Sequence, residues 1–153
     1  MTDIVDQATR SRMMAGIKGK NTRPEMLVRQ GLHRRGVRFR LHVAALPGHP
    51  DLCFKRYHAV VFVHGCYWHR HENCRFATTP TSRKDFWLSK FAANVERDKR
   101  ALSGLRQMGW RVGVVWECSL RPSGLEQTML AITDWLTSDR PFIEIGKEDL
   151  CDH

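Results

Sequence analysis

A group of cysteine and histidine residues is the strongest chemical signal in the sequence. Cys66, His71 and Cys74 fall within nine residues of one another, and Cys118 follows a later strand-like segment. Three thiolates and one imidazole make a complete tetrahedral ligand set for Zn²⁺, and a site with four protein ligands is structural. The spacing therefore predicts a structural zinc site that ties an irregular loop to a distant strand end. The alternative is a set of unconnected buried thiols and a surface histidine.

Two further histidines, His64 and His69, lie on either side of a Gly-Cys-Tyr-Trp sequence at the end of an apolar segment. A neutral imidazole can serve as a general base or acid in the hydrolysis of a bond. Proteins with helices packed on a sheet place their sites at the carboxyl ends of strands. Both histidines are therefore candidate catalytic residues, although a packing role is the commoner one for a single histidine.

Two acidic residues, Asp51 and Glu25, stand in a part of the chain where acids are scarce. A carboxylate beside bound phosphates repels them unless it holds a divalent cation, typically Mg²⁺. Asp51 is therefore a candidate Mg²⁺ ligand. Structural roles remain open for both residues, as a turn cap for Asp51 and as part of a helix capping box for Glu25.

Aromatic residues accompany the histidines. Tyr67 and Trp68 are adjacent in a polar loop, where both rings cannot point inward at once. Such a pair suits stacking on bases or wedging between them. Trp87 lies on a predicted amphipathic helix, where a core position is the usual explanation.

The positive charge of the chain is localised. The sequence has 25 Lys and Arg against 16 Asp and Glu, a net charge of +9. Residues 1–76 carry 14 basic and 5 acidic groups, and residues 77–153 carry 11 of each. This concentration indicates binding to a polyanion. Nucleic acid is favoured over an anionic membrane surface, because the basic segment lacks a continuous apolar helical face.

Several classes of protein are excluded by composition. The longest apolar run, residues 59–63, is far too short to cross a bilayer, and the N-terminal residues do not resemble a secretory signal. Five cysteines without an export signal favour thiols or metal ligation over a disulfide framework. These exclusions lead us to expect a cytoplasmic protein.

The periodicity of apolar residues predicts the elements that would position these side chains. Thr22 is predicted to cap a helix that ends near Gly36, and a second capping box, Ser123 to Glu126, begins another. Strands are predicted at 37–43, 51–54, 58–64 and 110–116, and a long helix at 86–108. This order predicts an α/β fold with a mixed sheet flanked by helices. The domain prediction is an N-terminal arm (1–20), a core (21–140) and a short C-terminal tail (141–153).

Six sequence motifs together resemble the very short patch repair (Vsr) endonucleases. They are Ala8-Thr-Arg-Ser11, Leu46-Pro-Gly-His-Pro-Asp51, Phe62-Val-His-Gly-Cys-Tyr-Trp-His69, Phe86-Trp-Leu88, Asn94-Val-Glu-Arg-Asp98 and Gly109-Trp-Arg-Val112 with Val115-Trp-Glu-Cys118. The resemblance covers about residues 1–120, with the motifs in order and nearly ungapped.

The resemblance implies a restriction-endonuclease-like core with a structural zinc site. It also implies an enzyme that nicks double-stranded DNA 5′ to the thymine of a T:G mismatch, the lesion left when 5-methylcytosine deaminates. Mismatch-repair proteins are the further partners implied, and the resemblance also implies a bacterial, nucleoid-associated enzyme that acts as a monomer. A zinc-stabilised module that binds mismatched DNA without catalysis is the alternative that the residues leave open.

The resemblance also assigns roles to individual residues. Asp51 and the backbone carbonyl of Val63 would hold Mg²⁺, and His69 would be the general base. His64 and Glu25 would assist, with Asp98 as a weaker addition. The implied zinc ligands are again Cys66, His71, Cys74 and Cys118, and the implied DNA-intercalating residues are Tyr67, Trp68, Trp87 and Met14.

The chain departs from the family pattern at three places. Val63 stands where the family often has threonine, which a backbone ligand tolerates. The loop between His71 and Cys74 is one residue longer, because it contains both Glu72 and Asn73. The Glu-x-Lys of restriction endonucleases is missing after the central strand, which leaves the acid and base chemistry to histidine.

Overall fold

The computed structural model describes residues 22–150, and its elements form a sheet with helices on both faces. The helices are α1 (Arg23–Arg34), α2 (Lys84–Gln107) and α3 (Leu125–Leu136). The strands are β1 (Arg40–Leu41), β2 (Leu52–Phe54), β3 (Ala59–His64), β4 (Arg111–Trp116) and β5 (Phe142–Ile145). Short 3₁₀ turns occupy Lys55–Tyr57, Glu117–Leu120 and Lys147–Asp149.

The sheet is mixed, as the sequence predicted. Its strand order is β1-β2-β3-β4-β5. The first three strands are antiparallel neighbours, whereas β3, β4 and β5 run parallel, with Val63 opposite Val115. Parallel pairing brings the carboxyl ends of β3 and β4 to the same edge of the sheet, and the start of the antiparallel β2 lies beside them.

Both faces of β3 are covered, which explains its continuous apolar sequence. Val61 and Val63 pack in the core cluster formed with α1 and α3. Val60 and Phe62 point to the other face, where they pack in the cluster formed with α2. The alternation places α2 over one face of β3, and α1 and α3 over the other.

A close backbone approach fixes the turn before Asp51. Gly48 has a φ of 75°, and a Cβ atom at this position would lie 2.6 Å from the Cβ of Ala101 on α2. The same atom would lie 3.1 Å from the ring of Phe62. Because only glycine fits both the conformation and the space, this turn rests directly on α2 and β3 and carries Asp51 to a defined place.

Local sequence signals predicted some element boundaries and missed others. Thr22 caps α1 as predicted, since its Oγ1 accepts a hydrogen bond from the Glu25 N–H at 3.4 Å. The predicted strand at 37–43 is reduced to β1, because His42 adopts a left-handed φ of 48° that ends the extended chain.

The end of the chain differs more. The predicted capping box at Ser123 is wrong: Gly124 is the N-cap residue of α3, and the Glu126 carboxylate pairs with Arg35, the C-cap residue of α1. The segment after 141 contains β5, whereas the sequence predicts only a short tail there. In the part of the chain that is described, no helix has the length and apolar character needed to cross a membrane.

Candidate active site and metal centre

A cleft of about 1370 Å³ opens where β3 ends and β2 begins. α1 borders it on one side and α2 on the other. The candidate residues that line it are Glu25, Asp51, Val63, His64, Cys66, Tyr67, Trp68, His69 and Asp98. Arg23, Lys90 and Arg97 line it as well, so cations surround the carboxylates and imidazoles. This composition suits a phosphate-bearing substrate.

Two histidine rings and one carboxylate form a compact group in the cleft. The rings of His64 and His69 stack with centroids 3.9 Å apart and planes 4° apart. Nδ1 of His69 lies 2.6 Å from Oδ2 of Asp98 on α2. Burial, followed by the neighbouring His69, holds the pKa of His64 well below its usual value, so this ring is neutral at pH 7.

Asp51 immediately precedes β2 and lies beside the end of β3. Its Oδ2 accepts a hydrogen bond of 2.7 Å from the Val63 N–H. Burial raises the pKa of Asp51 to about 7; the Val63 hydrogen bond opposes this rise, and the nearby Glu25 adds to it. A carboxyl group in this position is costly to ionise until a cation comes near it.

Glu25 is held from two sides. Its Oε2 lies 2.7 Å from an Arg29 nitrogen on the next turn of α1 and 3.0 Å from Nε2 of His42. The His42 nitrogen is also 3.9 Å from Oδ1 of Asp51. Glu25 is 4% exposed, so its carboxylate depends on these partners for its charge to remain in the interior.

The Asp51 group fits a divalent cation. Ligand atoms of Glu25, His42 and Asp51 lie within 4.8 Å of one another. In an extended strand the N–H and C=O of one residue face the same side, so the Val63 carbonyl also faces Asp51. Oxygen ligands from a carboxylate and a backbone carbonyl are those that Mg²⁺ prefers.

The predicted zinc ligands meet at one point in the described structure. The ligand atoms of Cys66, His71, Cys74 and Cys118 lie within 4.8 Å of one another. Nδ1 of His71 is 3.5 Å from Sγ of Cys118. In a tetrahedral zinc site with ordinary Zn–N and Zn–S bonds, a nitrogen and a sulfur ligand lie about 3.6 Å apart, so this distance fits zinc.

The chemistry of this group also fits zinc. Burial raises the pKa values of the Cys66 and Cys118 thiols, and the neighbouring Cys74 adds to the rise in both. Three thiolates can stay this close in a buried place when a cation neutralises them. Cys66 follows β3 and Cys118 follows β4, so a zinc ion held here would tie the two strand ends and the loop between them together.

The aromatic residues form one cluster, of which Tyr67 and Trp68 line the cleft whereas Trp87 packs behind them and is not among its lining residues. Tyr67, Trp68 and Trp87 each pack within 6.3 Å, centroid to centroid, of the buried Phe91 ring. The three rings are partly exposed. Arg70 supports the loop from below, with its guanidinium 4.1 Å from the Phe91 ring and donating hydrogen bonds to carbonyl groups of the loop.

Comparison with known proteins decides the family. The family described as DNA mismatch endonuclease Vsr matches residues 2–75. The chain is 47% identical to the type II nicking enzyme V.XorIIP of Xanthomonas oryzae pv. oryzae, over 88% of this chain and 98% of that relative. It is 46% identical to the DNA mismatch endonuclease Vsr of Escherichia coli K12, over 79% of this chain and 77% of that relative.

The chain belongs to the Vsr family.

It is thus a DNA endonuclease, and DNA is its substrate. A third bacterial relative, the type II nicking enzyme V.NmeAIP of Neisseria meningitidis serogroup A, is 43% identical over 79% of this chain and 86% of that relative. The alternative of a mismatch-binding module without catalysis is therefore not retained.

Within this Vsr-family chain, the structure adds residues that the sequence did not single out. His42 and Arg29 contact Glu25, and Phe91 supports the aromatic cluster. His42 occupied a polar position of a predicted strand and Phe91 an apolar position of a predicted helix, so neither carried a separate signal. Met14 and the N-terminal arm lie outside the described residues.

Proposed function

We propose that this enzyme nicks one strand of duplex DNA 5′ to the thymine of a T:G mismatch, with Mg²⁺ as cofactor. It would thereby start the repair of deaminated 5-methylcytosine. The observation that carries the proposal is the position of the His69–Asp98 pair, which shares one cleft with Asp51, Tyr67 and Trp68. The name of the Escherichia coli relative, a DNA mismatch endonuclease, supports the choice of substrate.

His69 is the proposed general base. A carboxylate can only accept a hydrogen bond, so Asp98 holds the Nδ1–H of the imidazole and leaves Nε2 as the nitrogen that can act as the base. Nε2 would take a proton from the attacking water. A base held by a second group in this way is the usual arrangement in general base catalysis.

Asp51 and the Val63 carbonyl are the proposed Mg²⁺ ligands. When bound, Mg²⁺ would neutralise the phosphate and the charge that develops on it during hydrolysis. The hydrogen bond from the Val63 N–H fixes the Asp51 carboxylate toward the cleft. The Asp51 carboxylate and the Val63 carbonyl suit Mg²⁺ because both offer oxygen atoms on the same side of β3.

Glu25 and His64 are proposed to assist. His64 is neutral and stacks on His69, so it restrains the face of that ring without adding positive charge. Glu25 lies in the same group of ligand atoms as Asp51 and is held by Arg29 and His42. We propose that it orients Asp51 and the water molecules around it.

Tyr67, Trp68 and Trp87 are the proposed contacts to the mismatch. Their rings pack edge to face or tilted, which leaves partly exposed aromatic surface at the cleft rim. Aromatic side chains inserted at a base step unstack it, and unstacking costs least at a mismatched step. Zn²⁺ on the four Cys and His ligands would hold the loop that carries two of these rings.

The deciding experiment is cleavage of end-labelled duplexes that contain T:G, U:G or T:A pairs in several flanking sequences. We expect a single nick 5′ to the thymine of T:G in Mg²⁺ and none after chelation. Asp51→Ala should lose the nick while binding persists. Trp68→Ala should reduce the difference in nicking rate between T:G and T:A duplexes. Trp68→Phe retains an aromatic face and should keep much of this difference.

Two outcomes would count against the proposal. If T:G and T:A duplexes were nicked at equal rates in every flanking sequence, the enzyme would still be a nicking enzyme of this family, but the T:G mismatch would not be its specific substrate. Nicking by Asp51→Ala at the wild-type rate in Mg²⁺ would remove Asp51 from the reaction.

A further inference from the structure

A short segment at the end of the described chain lies against the candidate zinc site. Residues 146–149, called here the C-terminal segment, follow β5 and include the 3₁₀ turn Lys147–Asp149. The turn is stabilised by a hydrogen bond of 2.8 Å from the Gly146 N–H to the Asp149 carboxylate. None of the four ligands belongs to this segment, yet it contacts two of them.

The first contact involves the imidazole of His71. Oε1 of Glu148 lies 2.9 Å from Nε2 of His71. Since a carboxylate only accepts, Nε2 carries the hydrogen of the neutral ring, and the lone pair lies on Nδ1. Nδ1 is the nitrogen that faces the Cys118 sulfur at 3.5 Å. Glu148 thus selects the tautomer and ring orientation that a metal on Nδ1 requires.

The second contact involves the Cys118 sulfur. The Lys147 N–H donates a hydrogen bond of 3.2 Å to this atom. A hydrogen bond from a backbone amide fixes the position of the sulfur atom that it contacts, and partners of this kind orient the ligands of a metal site. One four-residue segment therefore supports one nitrogen ligand and one sulfur ligand.

The packing around His71 adds a third observation. A Cβ atom on Gly146 would lie 2.7 Å from Cε1 of His71, so the backbone of the segment is in contact with the ring edge. The Trp116 ring stacks on the His71 ring with centroids 4.3 Å apart. Glu144 on β5 accepts a hydrogen bond of 2.7 Å from Nε1 of Trp116 and fixes that ring.

We propose that the C-terminal segment is a functional part of the zinc site, in which Glu148 positions the His71 ring and the Lys147 amide positions the Cys118 sulfur. The proposal rests on the zinc site described above and not on the mismatch specificity. It assigns a role in metal retention to a part of the chain that the sequence presented as a tail.

The test is zinc affinity, measured on the full-length zinc-loaded protein by competition with a chromogenic chelator. Removing a carboxylate that holds a metal-binding histidine typically weakens the metal about 10- to 100-fold. We expect a loss in this range for Glu148→Ala. Glu148→Gln retains an oxygen acceptor without the charge, and its loss should be smaller. Glu72→Gln is the matched control, because Glu72 is an exposed carboxylate next to His71 in the chain.

The outcomes separate metal positioning from simple anchoring of the chain end. Circular dichroism checks that each variant folds, and urea unfolding is measured with and without zinc. Zinc affinity within twofold of wild type for Glu148→Ala, or an equal loss for Glu72→Gln, would overturn the proposal. So would a stability loss of the same size in both zinc states. A wild-type protein that retains no zinc would remove the metal site itself, whatever its nicking activity.

Discussion

Nδ1 of His69 lies 2.6 Å from Oδ2 of Asp98, a contact that joins the loop after β3 to the middle of α2. The His64 ring stacks on the same imidazole at 3.9 Å. His69 is therefore held at its edge by a carboxylate and on its face by a neutral ring. An imidazole restrained in both ways keeps one nitrogen directed into the cleft, as a general base requires.

The contact predicts a large kinetic effect for Asp98→Asn. The carboxylate sets which nitrogen of His69 carries the hydrogen, and general base catalysis contributes about 10²- to 10⁴-fold to a rate. We expect the single-turnover nicking rate to fall about 10²-fold or more, with the dissociation constant for DNA nearly unchanged. Glu96→Gln is the control, since Glu96 is an exposed acid on the same helix. A wild-type single-turnover rate for Asp98→Asn would show that His69 does not depend on the Asp98 carboxylate.

The raised pKa of Asp51 predicts a pH dependence of stability. Because the folded-state pKa is about 7 and the ordinary value is 3.8, the folded protein binds this proton more tightly. The stabilising contribution is present at low pH and is lost as the pH rises toward about 7. In Mg²⁺-free buffer, the free energy of unfolding of Asp51→Asn should therefore rise relative to that of the wild type by about 1–3 kcal/mol as the pH increases from 5 to 8.

Urea unfolding at several pH values measures this difference. Asp139→Asn is the matched control, because Asp139 is exposed and its variant should track the wild type at every pH. A constant difference between Asp51→Asn and the wild type across this range would contradict the raised pKa.

The zinc ligands predict a metal stoichiometry that can be counted. Elemental analysis should find one zinc per wild-type chain. Cys118→Ser should lose most of the zinc and unfold at a lower temperature, because the ion would tie the loop to the end of β4. Cys53→Ala changes another buried cysteine outside the cluster, and its zinc content should stay at one. Full zinc in Cys118→Ser would exclude this sulfur as a ligand.

The turn before Asp51 predicts a difference between two glycine variants. Gly48 and Gly36 both have left-handed backbones, with φ of 75° and 80°. A Cβ atom at Gly48 meets Ala101 and Phe62, whereas nothing lies within 4 Å of one at Gly36. Gly36→Ala should lose about 1 kcal/mol of unfolding free energy to backbone strain.

Gly48→Ala adds steric overlap of about 1–3 kcal/mol to that strain, and it should also slow nicking by displacing Asp51. Denaturant unfolding and the nicking rate measure the two effects separately. Equal stability of the two variants would show that the turn can move away from α2.

Much of the fold was predictable because local sequence encodes which face of an element is buried. The apolar run of β3 and the Thr22 cap of α1 each depend on residues close together in the chain. β5 was missed because it is a four-residue edge strand with partly exposed side chains, and such a strand has almost no pattern of its own. Its place is set by pairing with β4.

The candidate site divides along the same line. Spacing alone predicted Cys66, His71 and Cys74 as zinc ligands, and composition alone indicated a polyanion as the partner. Residue types do not say which distant segments become neighbours, because that depends on strand order and on how helices pack across the sheet. Only the tertiary structure placed Asp98 on His69, His42 on Glu25 and Glu148 on His71. The sequence thus determined the chemistry that is present, and the packing of the sheet and helices decided which side chains hold it in position.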